Sequence, residues 1–171
     1  MRDTTGGLRF ENKSNLRKSL ISTSGFEVRG DYVYKEGSDI KLSILVEKSK
    51  LIKYLKSLGI NYLKFVRKKK LPDSAIIHLD KNGNPTMLII FENKSQKTHG
   101  SADDKITTAP YKRKYYLKLV KSLGIKVEYV YVFNDWFKNG YEDELDYLLD
   151  ENIQYYFNEI PVDKVFPHFH A

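Results

Sequence analysis

Five apolar residues in succession, Met87-Leu-Ile-Ile-Phe91, follow an Asn82-Gly83 pair with only Asn84, Pro85 and Thr86 between them. An apolar run without polar alternation is what a strand buried on both faces requires. Asn-Gly between extended, apolar-rich segments is the strongest short-range signal for a two-residue hairpin turn. The segment upstream, Ser74-Ala-Ile-Ile-His-Leu79, supplies the partner. Together they predict a hairpin of residues 74–80 and 86–94 with its second strand at the centre of a sheet. Few folds accommodate such a strand, because both of its faces must be covered.

The hairpin carries a register. With Asn82 and Gly83 as the loop, Lys81 faces Asn84 and Asp73 falls opposite Glu92. Side chains alternate along a strand, so Glu92 and Lys94 share a face, joined by Gln96 if the strand continues. Opposed residues have Cβ atoms about 5 Å apart, which lets two carboxylates hold one hard cation. Pro85 cannot donate to the ladder and marks where a longer loop or a shifted register would arise. Asp80, beside the turn, reads as a turn residue. A buried strand ending in Glu92-Asn93-Lys94 places charge where it is expensive unless paired or metal-bound. For any single such acid, an ordinary strand end emerging into solvent is the simpler account. Two acids and a lysine brought together at a hairpin end suit a Mg²⁺-dependent phosphodiesterase.

At 171 residues the chain is expected to form one domain, and its 41% apolar and 30% charged composition is globular. No apolar run reaches eighteen residues and no signal peptide is evident, so no membrane partner is expected. The absence of cysteine excludes disulfides and thiolate metal sites and fits a reducing cytoplasm. The net charge of +7 is uneven: residues 41–70 hold ten Lys/Arg and one acid, Glu47, whereas 135–164 hold nine acids and two lysines. The basic stretch ends in Arg67-Lys68-Lys69-Lys70, against Asp73. Such a patch suits a polyanion, because neutralising phosphates releases counterions. DNA is the expected partner.

Along the chain, residues 1–40 show no sustained periodicity and stand as an N-terminal extension to a core of 41–171. Residues 44–58 predict a helix stopped by Gly59, and 61–66 a strand. After the hairpin, 103–123 predict a mostly helical segment whose regular part starts at Pro110, with Gly124 as its stop. Residues 126–133 read as an alternating strand and 142–157 as a helix with Leu145, Leu148, Leu149, Ile153 and Tyr156 on one face. Lys-Ser-Leu-Gly-Ile occurs at 56–60 and 121–125, as two similar helix caps. The expected class is α/β (α+β): a central mixed sheet of about four strands in αβββαβ order, flanked by helices.

Pro72-Asp73 followed by Glu92-Asn93-Lys94 resembles the motif of the PD-(D/E)XK nuclease superfamily. The continuation Gln96…Gly100-Ser101…Asp104-Lys105, with Val132-Phe-Asn134-Asp135-Trp136-Phe137, is similar to a subset of type II restriction endonucleases. The resemblance implies a restriction-endonuclease-like core over about 44–133 and Mg²⁺-dependent hydrolysis of DNA to 5′-phosphate and 3′-hydroxyl ends. Asp73, Glu92 and a backbone carbonyl near Asn93 would hold the metal, and Lys94 would orient water or stabilise developing charge. Gln96 either contacts the scissile phosphate or holds Lys94, or is simply a polar strand end. Arg67 to Lys70 would meet the DNA. Ser101 and Asp103 read first as helix N-caps, from which a helix start could bind a phosphate, and Lys105 is either a backbone contact or part of a solvated helix face. Because one site cuts one strand, double-stranded DNA calls for a homodimer or a larger recognition subunit. A junction-resolving enzyme and a catalytically silent DNA-binding module are the alternatives. Glu47, the only acid on the basic first helix, would be a supporting metal ligand as in some relatives, the less favoured role, and His78 stands as a hairpin surface residue. Lys112-Arg-Lys114 is either a backbone contact or a solvated helix face, and the tyrosines show no pattern suggesting base stacking.

Overall fold

The computed structural model describes residues 10, 12–97 and 105–166. Seven strands form one mixed sheet in chain order: β1 (Phe26–Arg29), β2 (Tyr32–Lys35), β3 (Lys41–Leu45), β4 (Ser74–Leu79), β5 (Pro85–Lys94), β6 (Lys126–Phe133) and β7 (Gln154–Phe157). β1 to β5 are antiparallel neighbours, whereas β5, β6 and β7 run parallel. The helices are α1 (Leu16–Ile21), α2 (Ser49–Ser57), α3 (Ala109–Val120), α4 (Glu142–Asp150) and α5 (Val162–Val165). Parallel neighbours need a crossover, and α3 and α4 lie in the two that this sheet requires.

β5 sits where the apolar run places it. Leu88 and Ile90 pack with Leu51, Leu55, Tyr116, Leu119, Leu145 and Leu148 from α2, α3 and α4. Ile89 and Phe91 face the other way, onto Leu16 and Leu20 of α1 and Val162, Val165 and Phe166 at the chain's end. β6 is also buried on both faces from Tyr129 to Phe133, which corrects the expected half-exposed alternation.

The hairpin register is the one the arithmetic gives, from Ser74 opposite Phe91 to His78 opposite Met87. The turn itself differs. Asp80 N–H donates to Asn84 O and Gly83 N–H to Asp80 O, so the loop spans Asp80–Asn84. The Asp80 carboxylate accepts from the N–H groups of Asn82 and Asn84 at 2.8 Å each, the role expected of a turn aspartate. Leu79 pairs with Pro85 across an irregularity after His78, which absorbs the change in loop length before the register reaches Asp73.

The four-strand expectation fails at four places. Residues 44 and 45 end β3 and do not begin a helix; Leu42, Ile44 and Leu45 are buried and β3 pairs with β4. The helix starts only at Ser49. Residues 61–66 form no strand, because the Asn61 side chain accepts from Leu63 N–H and caps a 3-10 turn over Tyr62–Lys64. The helix expected over 142–157 ends at Asp150. Asn152 then takes a positive φ of 55° and Gln154–Phe157 become β7, leaving Leu149 exposed. Residues 26–35 add a hairpin to the same sheet, closed by Gly30-Asp31 with Gly30 at φ 61°. Their strands are four residues long, too short to leave a periodic signal. Gly59 (φ 81°) and Gly124 (φ 67°) do end their helical segments as the repeated Lys-Ser-Leu-Gly predicts.

His78 is not a surface residue. It is 7% exposed, with Nδ1 2.7 Å from Ser43 Oγ and Nε2 2.9 Å from Val165 O, and its ring stands edge-on to Phe166. It ties β4 to β3 on one side and to α5 on the other. Replacing His78 with alanine strands a buried hydroxyl and a carbonyl, an expected loss of about 2 kcal/mol readable from urea unfolding.

Candidate active site

Two strand ends and one helix build the site. Asp73 directly precedes β4, held in place through Pro72, whose carbonyl accepts from Lys48 N–H at 3.2 Å. The ladder starts at the Ser74–Phe91 pair, so Asp73 sits at its end, near enough to Glu92 to feel its charge. Although Asp73 lies at the surface, its Oδ2 turns in to accept the Asn93 N–H at 2.9 Å. Glu92 is more enclosed, its side chain 15% exposed, and its Oε1 accepts from Lys94 Nζ and Lys112 Nζ at 2.8 Å each. Lys94 reaches it along the same face of β5, whereas Lys112 comes from the first turn of α3.

These contacts move the two carboxyls apart. Burial alone would push Glu92 up, but the ammonium groups of Lys112 and Lys94 reverse this and hold it below the ordinary glutamate range. Burial pushes Asp73 up and the Glu92 charge adds to it, outweighing the Asn93 N–H and the two lysines. Glu92 is thus matched by two ammonium groups, whereas Asp73 is met at hydrogen-bond distance by the Asn93 N–H.

Three tyrosines floor the site. Burial, reinforced by the Glu92 charge, raises the phenols of Tyr116, Tyr129 and Tyr131 far above their ordinary value. The Tyr129 hydroxyl feels Glu92 yet meets no partner at hydrogen-bond geometry. Unfolded tyrosines ionise near pH 10, whereas these stay protonated in the fold. Stability is therefore full below about pH 10 and falls as the pH rises above it, because only the unfolded chain releases those protons. Melting temperature measured between pH 8 and 11.5, alongside tyrosinate absorbance, should drop in step with cooperative exposure of these phenols.

Beside the site, a cleft of about 440 Å³ is lined by Glu47, Lys48, Asp73, Ser74, Asn93 and Ser95, among others. Ser74 Oγ and Asn93 Oδ1 are buried there without partners. Glu47 precedes α2 and does not sit on it, and it shares this cleft with Asp73. Among the described residues no three His, Asp or Glu side chains converge as a metal cluster. Asp73 and Glu92 are the carboxylates at these strand ends, and with the Asn93 carbonyl they would be the oxygen donors for a hard cation. That set fits Mg²⁺, which is commonly held by one or two carboxylates with water and phosphate completing its shell.

β5 stops at Lys94, so Gln96 does not extend the Glu92–Lys94 face. Its backbone is clasped instead by the Asn134 amide, with Gln96 N–H donating to Oδ1 at 3.2 Å and Nδ2 donating to Gln96 O at 2.8 Å. Arg67, Lys68 and Lys69 are exposed on the loop before β4, and Lys70 is half-buried. Lys105 is exposed, its carbonyl accepting from Tyr131 Oη at 2.9 Å. Ser101 lies outside the described residues, as do His99, Gly100, Asp103 and Asp104. Lys112 is the site residue whose role the sequence left open. It lies one helical turn before buried Tyr116 on α3, and this spacing was the available sign that it faces the sheet. Comparison with protein-family models, with curated proteins and with solved structures finds no match. Among the described residues no helix is long and apolar enough to cross a membrane.

Proposed function

We propose that this chain is a Mg²⁺-dependent DNA endonuclease of the restriction type, hydrolysing phosphodiesters to 5′-phosphate and 3′-hydroxyl ends. The observation that carries this reading is the meeting of Asp73, Glu92 and Lys94 at the ends of two paired strands, with an ammonium already on the glutamate. β4 and β5 are antiparallel and a helical crossover leads to parallel β6, which is compatible with this reading. The seven-strand sheet with α2 between β3 and β4 departs from the four-strand αβββαβ core that the resemblance implies.

Asp73, Glu92 and the Asn93 carbonyl would hold the ion, which when bound acidifies a coordinated water and offsets phosphate charge. Asp73, which no ammonium holds, is the carboxylate free to engage it. Lys94 lies beside Glu92 and has the reach to hydrogen-bond the attacking water or a phosphate oxygen. Lys112 keeps Glu92 ionised when Lys94 turns toward substrate. Double-stranded DNA is the substrate of this reading, with two copies or a recognition subunit supplying the second cut. Supercoiled plasmid incubated with protein and Mg²⁺ should yield nicked or linear product carrying 5′-phosphates, and chelator should abolish it. Cleavage that persists in chelator, or that leaves 3′-phosphates, would defeat the assignment.

A further inference from the structure

The loop between α2 and β4 forms two clefts that share Leu63, one of about 540 Å³ with α3 and one of about 530 Å³ with α2. Lys64, Arg67, Lys68, Lys70 and Lys118 line the first, and Lys53, Lys56 and Lys69 the second. No carboxylate lines either cleft, and none of these eight cations forms an ion pair among the described residues. Charge of one sign, left unneutralised in a concavity, calls for a polyanion.

The clefts are also aromatic and apolar. Tyr111 keeps 63% of its surface exposed and Leu63 62%. Lys70 Nζ stands 5.2 Å from the Tyr111 ring centre, and Lys69 Nζ 4.8 Å from that of Tyr62. The basic loop is pinned against α3: Tyr115 Oη donates to Lys68 O and accepts from Lys70 N–H, and Tyr116 Oη donates to Lys70 O. The platform is therefore built before any ligand arrives.

We infer that these clefts bind a single-stranded stretch of DNA, its phosphates on the lysines and its bases on Tyr111 and Leu63. An intact duplex satisfies only half of this surface. Its phosphates can meet the cations, but its bases are stacked on one another and cannot cover an exposed ring recessed among them. Aromatic platforms within a basic groove bind unpaired strands, because every base offers a π-face. Lys70, which lines the first cleft, lies three residues before Asp73 in the chain. As a statement about substrate, the inference rests on the nuclease reading: it adds an unpaired stretch, held in these clefts, to the double-stranded DNA that the site cuts. As a statement about binding it stands apart from cleavage.

The test is fluorescence anisotropy in chelator with labelled oligothymidylate of about a dozen nucleotides, near the footprint of one single-strand-binding module, and with a blunt duplex of equal length. The oligothymidylate should bind more tightly than the duplex. Tyr111→Ala should weaken strand binding roughly tenfold, the loss expected from one stacked base, while Tyr111→Phe retains it and duplex binding stays unchanged. Because Tyr111 is exposed, equal melting temperatures are expected for all three proteins. Duplex binding as tight as strand binding, or a Tyr111→Ala effect that is absent or equal on both, would overturn the inference. A protein that binds in this way yet cuts no plasmid would leave it intact and defeat the nuclease reading instead.

Discussion

Lys94→Ala is expected to lower single-turnover cleavage by at least about a hundredfold, the usual cost of removing one group that stabilises developing charge. The fold should tolerate the change. Glu92 Oε1 keeps Lys112 at 2.8 Å, so the half-buried carboxylate is not left alone, and stability should fall by no more than about 1 kcal/mol. This separation makes the variant informative: rate and melting temperature, measured side by side, should part company. Glu92→Gln behaves differently, because it leaves Lys94 and Lys112 facing each other without a counter-charge, and it should lose activity and some stability together. Full activity in Lys94→Ala would move the chemistry away from the end of β5.

The largest expected effect on stability lies one residue before the site. Phe91→Ala should cost about 3–5 kcal/mol, the range for deleting a buried aromatic and leaving its cavity. Phe91 is fully buried on the face packed by α1 and the chain's end, in the strand with neighbours on both sides. Domains are held by about 5–15 kcal/mol in total, so this one change removes a large share. Urea unfolding monitored by circular dichroism reads it directly. A loss below about 1 kcal/mol would mean that the second face of β5 is not packed as described.

Much of the hairpin is legible in the sequence alone. A period of two, an apolar run and one turn signal place Asp73 opposite Glu92 and Lys94 on the same face as Glu92, even though the turn proved longer and an irregularity restored the register. Gly59 and Gly124 were readable as helix ends because a positive φ suits glycine. Other segments were not readable, for a common reason. Leu42-Ser-Ile-Leu-Val46 satisfies a strand and a helix start equally well, and its pairing with β4 decides. Gln154–Phe157 becomes a strand because parallel β6 offers it an edge, and His78 is buried because α5 closes over β4.

The site divides along the same line. Asp73, Glu92 and Lys94 follow from alternation along paired strands joined by a short loop, and such local rules act within a few residues. Lys112 meets Glu92 across 20 residues of chain, through a crossover helix laid over the sheet. The basic loop becomes a cleft only because Tyr115 and Tyr116, more than forty positions away, hold its backbone. The sequence by itself determined the central hairpin, its register and the pair of acids at its end, since sterics and side-chain alternation are properties of neighbouring residues. The tertiary structure decided the width of the sheet, the cations facing Glu92 and the shape of the basic surface. Those depend on hydrogen bonds and packing between distant segments, which no local pattern encodes.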